Sequence, residues 1–285
     1  GGSIAIRSTH YPDNLRGAGL DYVVLDEAAF MSPDVWAHVV RPMLMTTQGG
    51  ALFLSTPFGK NWFYDLYQMG RDPYQPEWQS FHFTSWDNPM IPNQELLAIK
   101  AQTPERVWRE EYLAQFIDDA GQVFRGIREA AIAPVDAHHN PMHRYIMGVD
   151  WGKDNDYTVL SVIDASTRQM VALDRFNKIG WKLQRDRLLL LAQRWQPSVI
   201  WAEANSIGSV QIEELQRDGL PVQPFMTTGR SKSPLIEGLA LAIEQREVAL
   251  LPDDTLLSEL AAYQLERLQG GRYRYSAPAG MHDDT

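Results

Sequence analysis

The chain has 285 residues, of which 44% are apolar, and a formal net charge of −10. That length fills one large core or two modest ones, and the acidity excludes a protein that holds nucleic acid through a general coat of lysine and arginine. Cysteine is absent, which removes disulfides and thiolate-bound zinc and makes an intracellular setting the expectation, and no stretch nears the roughly 18 apolar residues of a membrane helix.

The chain opens on GGSIAIRST, which reads as the middle of a domain. DYVVLDEAAF, ending at Phe30, reads as a strand buried on both faces, with charge only at its carboxyl end. SPDVWAHVVRPML, from Ser32 and Pro33, predicts a helix, and GGALFLSTP predicts a second buried strand. Residues 61–117 read as helical and rich in aromatics, QELLAIKAQTPERVWREEYLAQF being the clearest amphipathic part. Periodicity fades over 118–143, where Gly, Pro and His collect, and a domain boundary is expected there. Three apolar runs follow, RYIMGVDWG, YTVLSVID and MVALDRF, predicting an antiparallel meander. Helix, strand, helix, strand and a long helix from about Lys232 to Glu247 complete an order resembling a ribonuclease H-like domain.

Asp26 and Glu27 end the first predicted strand, where open α/β sheets bind ligands. In nucleotide hydrolases of this layout the aspartate holds Mg²⁺ through water and the glutamate polarises the attacking water. The bland alternative is an acidic pair that favours a helix dipole. Ser55 and Thr56 end the second strand, where a residue sensing a γ-phosphate would sit or a plain turn would form. No G-x-x-x-x-G-K-[ST] phosphate cradle occurs, since Gly59-Lys60 lacks the earlier glycine and is followed by Asn61. The sequence as given is therefore not expected to hydrolyse ATP by itself.

A second constellation joins Asp150, Glu203, Asp283 and Asp284. Cleavage of a phosphodiester with two metals places Mg²⁺ or Mn²⁺ ions about 4 Å apart among hard oxygen ligands, so clustered carboxylates are the expected cradle. Asp150 and Glu203 end the first and fourth predicted strands of the later domain, which neighbour each other in a ribonuclease H-like sheet. Acidic residues at strand ends are also often solvated caps. Asp156 reads as a turn aspartate or a weaker ligand, and His282 as a phosphate contact or an exposed terminal residue.

Bases alternate with aromatics in DRFNKIGWKLQRDR (Arg175, Lys178, Trp181, Lys182, Arg185, Arg187) and GGRYRYSAP (Arg272, Tyr273, Arg274, Tyr275). Each suits a DNA groove, or else a solvated helix face and a charge-protected strand edge.

DNLRG, VVLDEAAF, STP with FGKNWFYDLY, VDWGKDNDYT, AEANSIG and HDD, in this order over nearly the whole chain, resemble the large subunit of a tailed-bacteriophage terminase. The resemblance implies an α/β architecture in which the C-terminal part of a P-loop ATPase sheet (1–120) precedes a linker (121–143) and a ribonuclease H-like nuclease domain (144–285). It implies a metal-dependent endonuclease cutting concatemeric double-stranded DNA, coupled to ATP-driven translocation into a procapsid. Asp26 would serve Mg²⁺ of ATP, Glu27 catalysis, and Ser55 and Thr56 coupling. Asp150, Glu203 and Asp283 or Asp284 would serve the nuclease metals. Arg16 matches a family arginine that serves ATP, DNA or the fold, and Lys232 is a phosphate contact or a helix-start lysine. Implied partners are double-stranded DNA, portal protein, terminase small subunit and copies of the chain in a ring. The implied location is the host bacterial cytoplasm, outside the mature virion and without a membrane. The phosphate cradle is expected upstream of Gly1 and one more helix beyond Thr285, so this stretch alone is expected to cut DNA poorly. A portal-docking assembly module is the alternative in another class. A ribonuclease H-like recombinase leaves YVVLDEAAF and STP unexplained.

Overall fold

The computed structural model describes residues 2–17, 19–118, 121–152, 156–205, 208–267 and 273–276. The chain divides into two units, the first of Gly1–Ala120 with Arg267–Tyr273 and the second of Gly121–Glu266 with Arg274–Thr285.

In the first unit β1 (Tyr22–Asp26) pairs in parallel with β2 (Gly50–Leu54), Tyr22 facing Gly50 and Asp26 facing Leu54. Between them the chain makes π-helical turns over Val35–Val40 and continues as α1 (Arg41–Leu44). Pro42 has no N–H to give to the preceding turn, which a wider turn tolerates better than a regular helix. Leu25, Ala28, Val35, Val40 and Leu44 form the buried cluster here, with Trp36, Phe53 and Trp62 packed against it. The expectation of a strand buried on both faces is corrected, because Tyr22, Val24 and Leu54 are exposed. Successive side chains of a strand point to opposite faces, and the helical crossover covers only the Leu25 and Phe53 side of this two-stranded sheet.

Beyond β2 come α2 (Trp62–Met69), α3 (Asn93–Ala101) and α4 (Glu105–Val107), the last continuing as a π-helical turn over Trp108–Tyr112. Residues 61–117 are thus helical only in part. Apart from a 3-10 turn at Ser85–Asp87, residues 71–92 carry no regular element. The amphipathic run is divided at Thr103 because the residue before Pro104 is driven out of helical geometry.

The second unit begins with α5 (Ile127–Ala130) and builds its sheet from β3 (Tyr145–Asp150), β4 (Thr158–Asp164), β5 (Gln169–Phe176), β6 (Val199–Glu203) and β7 (Val222–Phe225). Strand order is β5-β4-β3-β6-β7. The first three pair antiparallel, as the short turns between them predict, and β3–β6 and β6–β7 pair parallel. Helices α6 (Trp181–Trp195) and α7 (Gly208–Arg217) bring Leu188, Ala192, Trp195, Ile212 and Leu215 against Tyr145, Met147, Val149, Leu160, Ile200 and Ala202. Helices α8 (Gly229–Glu244) and α9 (Asp254–Ala262) and the paired strands β8 (Gln264–Arg267) and β9 (Tyr273–Ser276) follow. The stretch 121–143, read as a linker, is packed rather than a free tether. Val123, Phe124, Ile127, Ala130 and Ala133 are buried, and backbone bonds join Val123 to Tyr263 and Ala133 to Leu250.

Candidate active site

The sheet of the second unit gathers its chemistry at one edge. β3 and β5 both run antiparallel to β4, and β6 and β7 run parallel to β3, so the carboxyl ends of β3, β5, β6 and β7 share an edge. The parallel ladder of β3 and β6 ends with Val149 opposite Ala202. Asp150 and Glu203 are each the next residue. Val149 and Ala202 turn into the core, so alternation turns the two carboxylates to the other face, where Asp150 is exposed and Glu203 half-buried.

Glu203 Oε1 accepts a 2.9 Å hydrogen bond from Asn205 Nδ2, which also lies 2.9 Å from the Thr227 carbonyl. Asn205 therefore ties the carboxylate to the turn that opens α8, where Thr228 caps the helix by accepting from Ser231 N. Beside Asp150, the ring of Trp151 meets that of Trp181 edge-on at 5.2 Å.

Two adjacent carboxylates are hard oxygen donors that fit Mg²⁺ or Mn²⁺. Among the described residues no three His, Cys, Asp or Glu side chains come together to hold an ion. Asp283 and Asp284, expected as further ligands, and His282 lie outside the described residues, as does Arg272. Asp156 is exposed in a bend.

The basic clusters resolve into two kinds of residue. Lys178 and Lys182 are exposed at the carboxylate edge, flanking the start of α6. The neighbouring arginines are committed within the protein. Arg175 pairs with Glu259 at 2.7 Å and lies over the Tyr157 ring, Arg185 makes a two-pronged contact with Asp218, and Arg187 does the same with Asp174. Lys232 lies 5.6 Å from the Tyr263 ring centre. Arg274 lies in β9, and Tyr275 of that strand is buried with its hydroxyl 2.9 Å from Glu237, so this tyrosine is no stacking platform for bases.

In the first unit Asp26 and Glu27 are exposed at the carboxyl end of β1. Glu27 adopts a left-handed backbone (φ 56) and donates its N–H to Asp26 Oδ1 at 3.1 Å. Ser55, half-buried like Thr56 at the end of β2, accepts from Ala29 N at 3.1 Å, and Asn61 Nδ2 reaches the Ala29 carbonyl at 2.7 Å. The two loops are thereby tied together. Arg16 is exposed and pairs with Asp13 at 3.0 Å.

A helical contribution escaped the sequence reading. Glu110 is buried, pairs with Arg106 at 3.1 Å and accepts from Gly59 N at 3.3 Å in the loop after Thr56. Loss of solvent raises its carboxyl above the ordinary value despite that company. The Glu111 carboxyl is raised as well, first by loss of solvent and then by the negative charge of Glu27. The adjacent acids in REEY were the available signal, inside a run read only as an amphipathic helix.

Comparison with known proteins matches residues 1–131 to the family model "Terminase large subunit, T4likevirus-type, N-terminal" and residues 147–263 to "Terminase RNaseH-like domain". The terminase large subunit of Thermus virus P23-45 is 34% identical over 300 residues, covering 98% of this chain and 62% of that protein. The chain thus spans less than two thirds of that relative's length. Crystal structures of the large terminase nuclease from thermophilic phage G20c with bound magnesium and with bound cobalt are each 31% identical and cover 57% of this chain and 92% of theirs, with TM-scores of 0.54 and 0.53.

Proposed function

The chain belongs to the terminase large-subunit family, and from that premise we propose that its second unit is a metal-dependent endonuclease for double-stranded DNA. The observation that carries the reading is the placement of Asp150 and Glu203 side by side where β3 and β6 end. Mg²⁺ or Mn²⁺ held by Asp150, Glu203 and Asp283 or Asp284 would activate water and offset charge gathering on the phosphate. Asn205 fixes the direction of the Glu203 carboxylate. Lys178 and Lys182, with Lys232, Arg272 and Arg274 as further candidates, would neutralise phosphates of the bound strand. The placement of Lys178 and Lys182 beside the carboxylates would offset locally the repulsion that an acidic chain exerts on DNA.

In this reading residues 1–120 are the later part of an ATPase. Asp26 would hold Mg²⁺ of ATP through water, Glu27 would take a proton from the attacking water, and the Ser55 to Ala29 bond would transmit the state of that site to the loop at Thr56. The whole protein would cut concatemeric DNA and drive it into a procapsid, acting with portal protein, small subunit and further copies of itself in the host cytoplasm. Arg16, paired with Asp13, is given a role in the fold.

Plasmid nicking in Mn²⁺ tests the nuclease reading. Cleavage that disappears in Asp150→Ala with unfolding unchanged supports it. DNA binding without cleavage, in the whole protein and the variant alike, would instead favour an assembly module.

A further inference from the structure

The loop between β3 and β4 carries the candidate ligand Asp150 at its start, and three separate contacts hold the loop's ends. Trp151 packs edge-on against Trp181 of α6, whose indole Nε1 donates to Glu214 Oε2 of α7 at 2.7 Å. Gly152 N donates to Thr158 Oγ1 at 3.0 Å, and that hydroxyl donates to Gln184 Oε1 of α6 at 3.1 Å. At the far end the Arg175 guanidinium lies 3.3 Å from the centre of the Tyr157 ring and pairs with Glu259 of α9. Gly152 belongs to the same device, because a Cβ there would fall on the backbone of Tyr157 and Asp156.

Trp181 is the member common to three elements. Its ring touches the residue after Asp150, its indole N–H reaches α7, and its backbone opens α6 between Lys178 and Lys182. A ring locked in this way loses little rotamer freedom when the site is occupied, because its position is already set. The Trp151–Trp181 ring contact adds to the Thr158–Gln184 bond in holding the start of the loop to α6, so removing the indole loosens the Asp150 side of the carboxylate pair while leaving the Glu203 side, held by Asn205, in place.

We propose that Trp181, held by Glu214, is a positioning residue for the metal site, setting where Asp150 stands relative to Glu203. This rests on the reading of Asp150 as a metal ligand. The test is Mn²⁺ binding to the protein, followed by electron paramagnetic resonance of the free ion, with thermal unfolding and plasmid nicking measured beside it on Trp181→Ala, Trp181→Phe, Glu214→Ala and Asp150→Ala. Trp181→Ala should weaken Mn²⁺ binding on the order of tenfold, the range found for residues that support metal ligands, with nicking restored at high Mn²⁺. Trp181→Phe, which keeps ring packing, should rescue most of the affinity, and Glu214→Ala should fall between the two. If Trp181→Ala fails to fold, Glu214→Ala decides. Asp150→Ala losing Mn²⁺ while the decisive variants bind it like wild type would overturn the inference alone. Asp150→Ala binding Mn²⁺ like wild type would overturn the reading beneath it.

Discussion

Asn205 Nδ2 stands 2.9 Å from Glu203 Oε1 and uses its second hydrogen on the Thr227 carbonyl, so the orientation of a half-buried carboxylate is set by the turn that opens α8. Asn205→Ala removes both bonds without touching the carboxylate. Metal affinity should fall about 10-fold to 100-fold, as it does for other supporting partners, while Asp150→Ala abolishes binding. Isothermal titration with Mn²⁺ checks this, and an Asn205→Ala affinity equal to wild type would refute the orienting role.

The lysines and arginines around α6 should separate cleanly in DNA binding. Lys178→Ala and Lys182→Ala should each lower the slope of log K against log salt by about 0.9, the value for one lost phosphate contact on B-form DNA. Arg185→Ala and Arg187→Ala break pairs with Asp218 and Asp174, so they should lower stability only slightly and leave the slope alone. Fluorescence anisotropy across a salt series reads both outcomes.

That division marks where sequence stops being sufficient. The meander of β3 to β5 was legible because each strand is a short apolar run bounded by turn residues, and the neighbouring of β3 and β6 followed from the strand and helix order. The commitment of Arg185 to Asp218 was not, because the partners are 33 residues apart and meet only once α6 and α7 pack. Trp181 and Glu214 were hidden for the same reason. The exposure of Tyr22 and Val24 eluded the sequence in another way, since an apolar run reports that a strand can be covered on both faces and is silent on what covers it.

Half-buried His143 pairs with buried Asp164, Nδ1 to Oδ2 2.6 Å, at the opposite end of β3 and β4 from Asp150. Burial pushes the Asp164 carboxyl up, but bonds from His143, Ser166 and Thr167 outweigh it and hold the group below its ordinary 3.8. A depressed carboxylate contributes stability that is complete above the ordinary value and is lost as pH falls through the folded one. Asp164→Asn should therefore cost about 1–3 kcal/mol near neutral pH, with the gap to wild type closing only below 3.8. Urea unfolding across acid pH measures the gap, and a difference that persists unchanged in strong acid would contradict the assignment.

Arg106 and Glu110 are both buried, and the second carboxylate oxygen of Glu110 holds Gly59 N in the loop after Ser55 and Thr56. Removing one partner strands the other charge, so Arg106→Ala should destabilise the first unit by about 3–5 kcal/mol, whereas a paired apolar replacement costs far less. The pH dependence has the opposite sign to that of Asp164. Loss of solvent raises the Glu110 carboxyl above its ordinary 4.5, so the folded state holds this proton more tightly than the unfolded one and stability declines as pH rises past 4.5. Without Arg106 the carboxyl should rise further, and the decline should steepen and reach higher pH. Unfolding of wild type, Arg106→Ala and Arg106→Ala/Glu110→Leu from acid to neutral pH decides the matter. The double variant should recover most of the loss and lose the share of the pH dependence that Glu110 supplies, and a double variant no more stable than the single would show that the buried charge is not the cause.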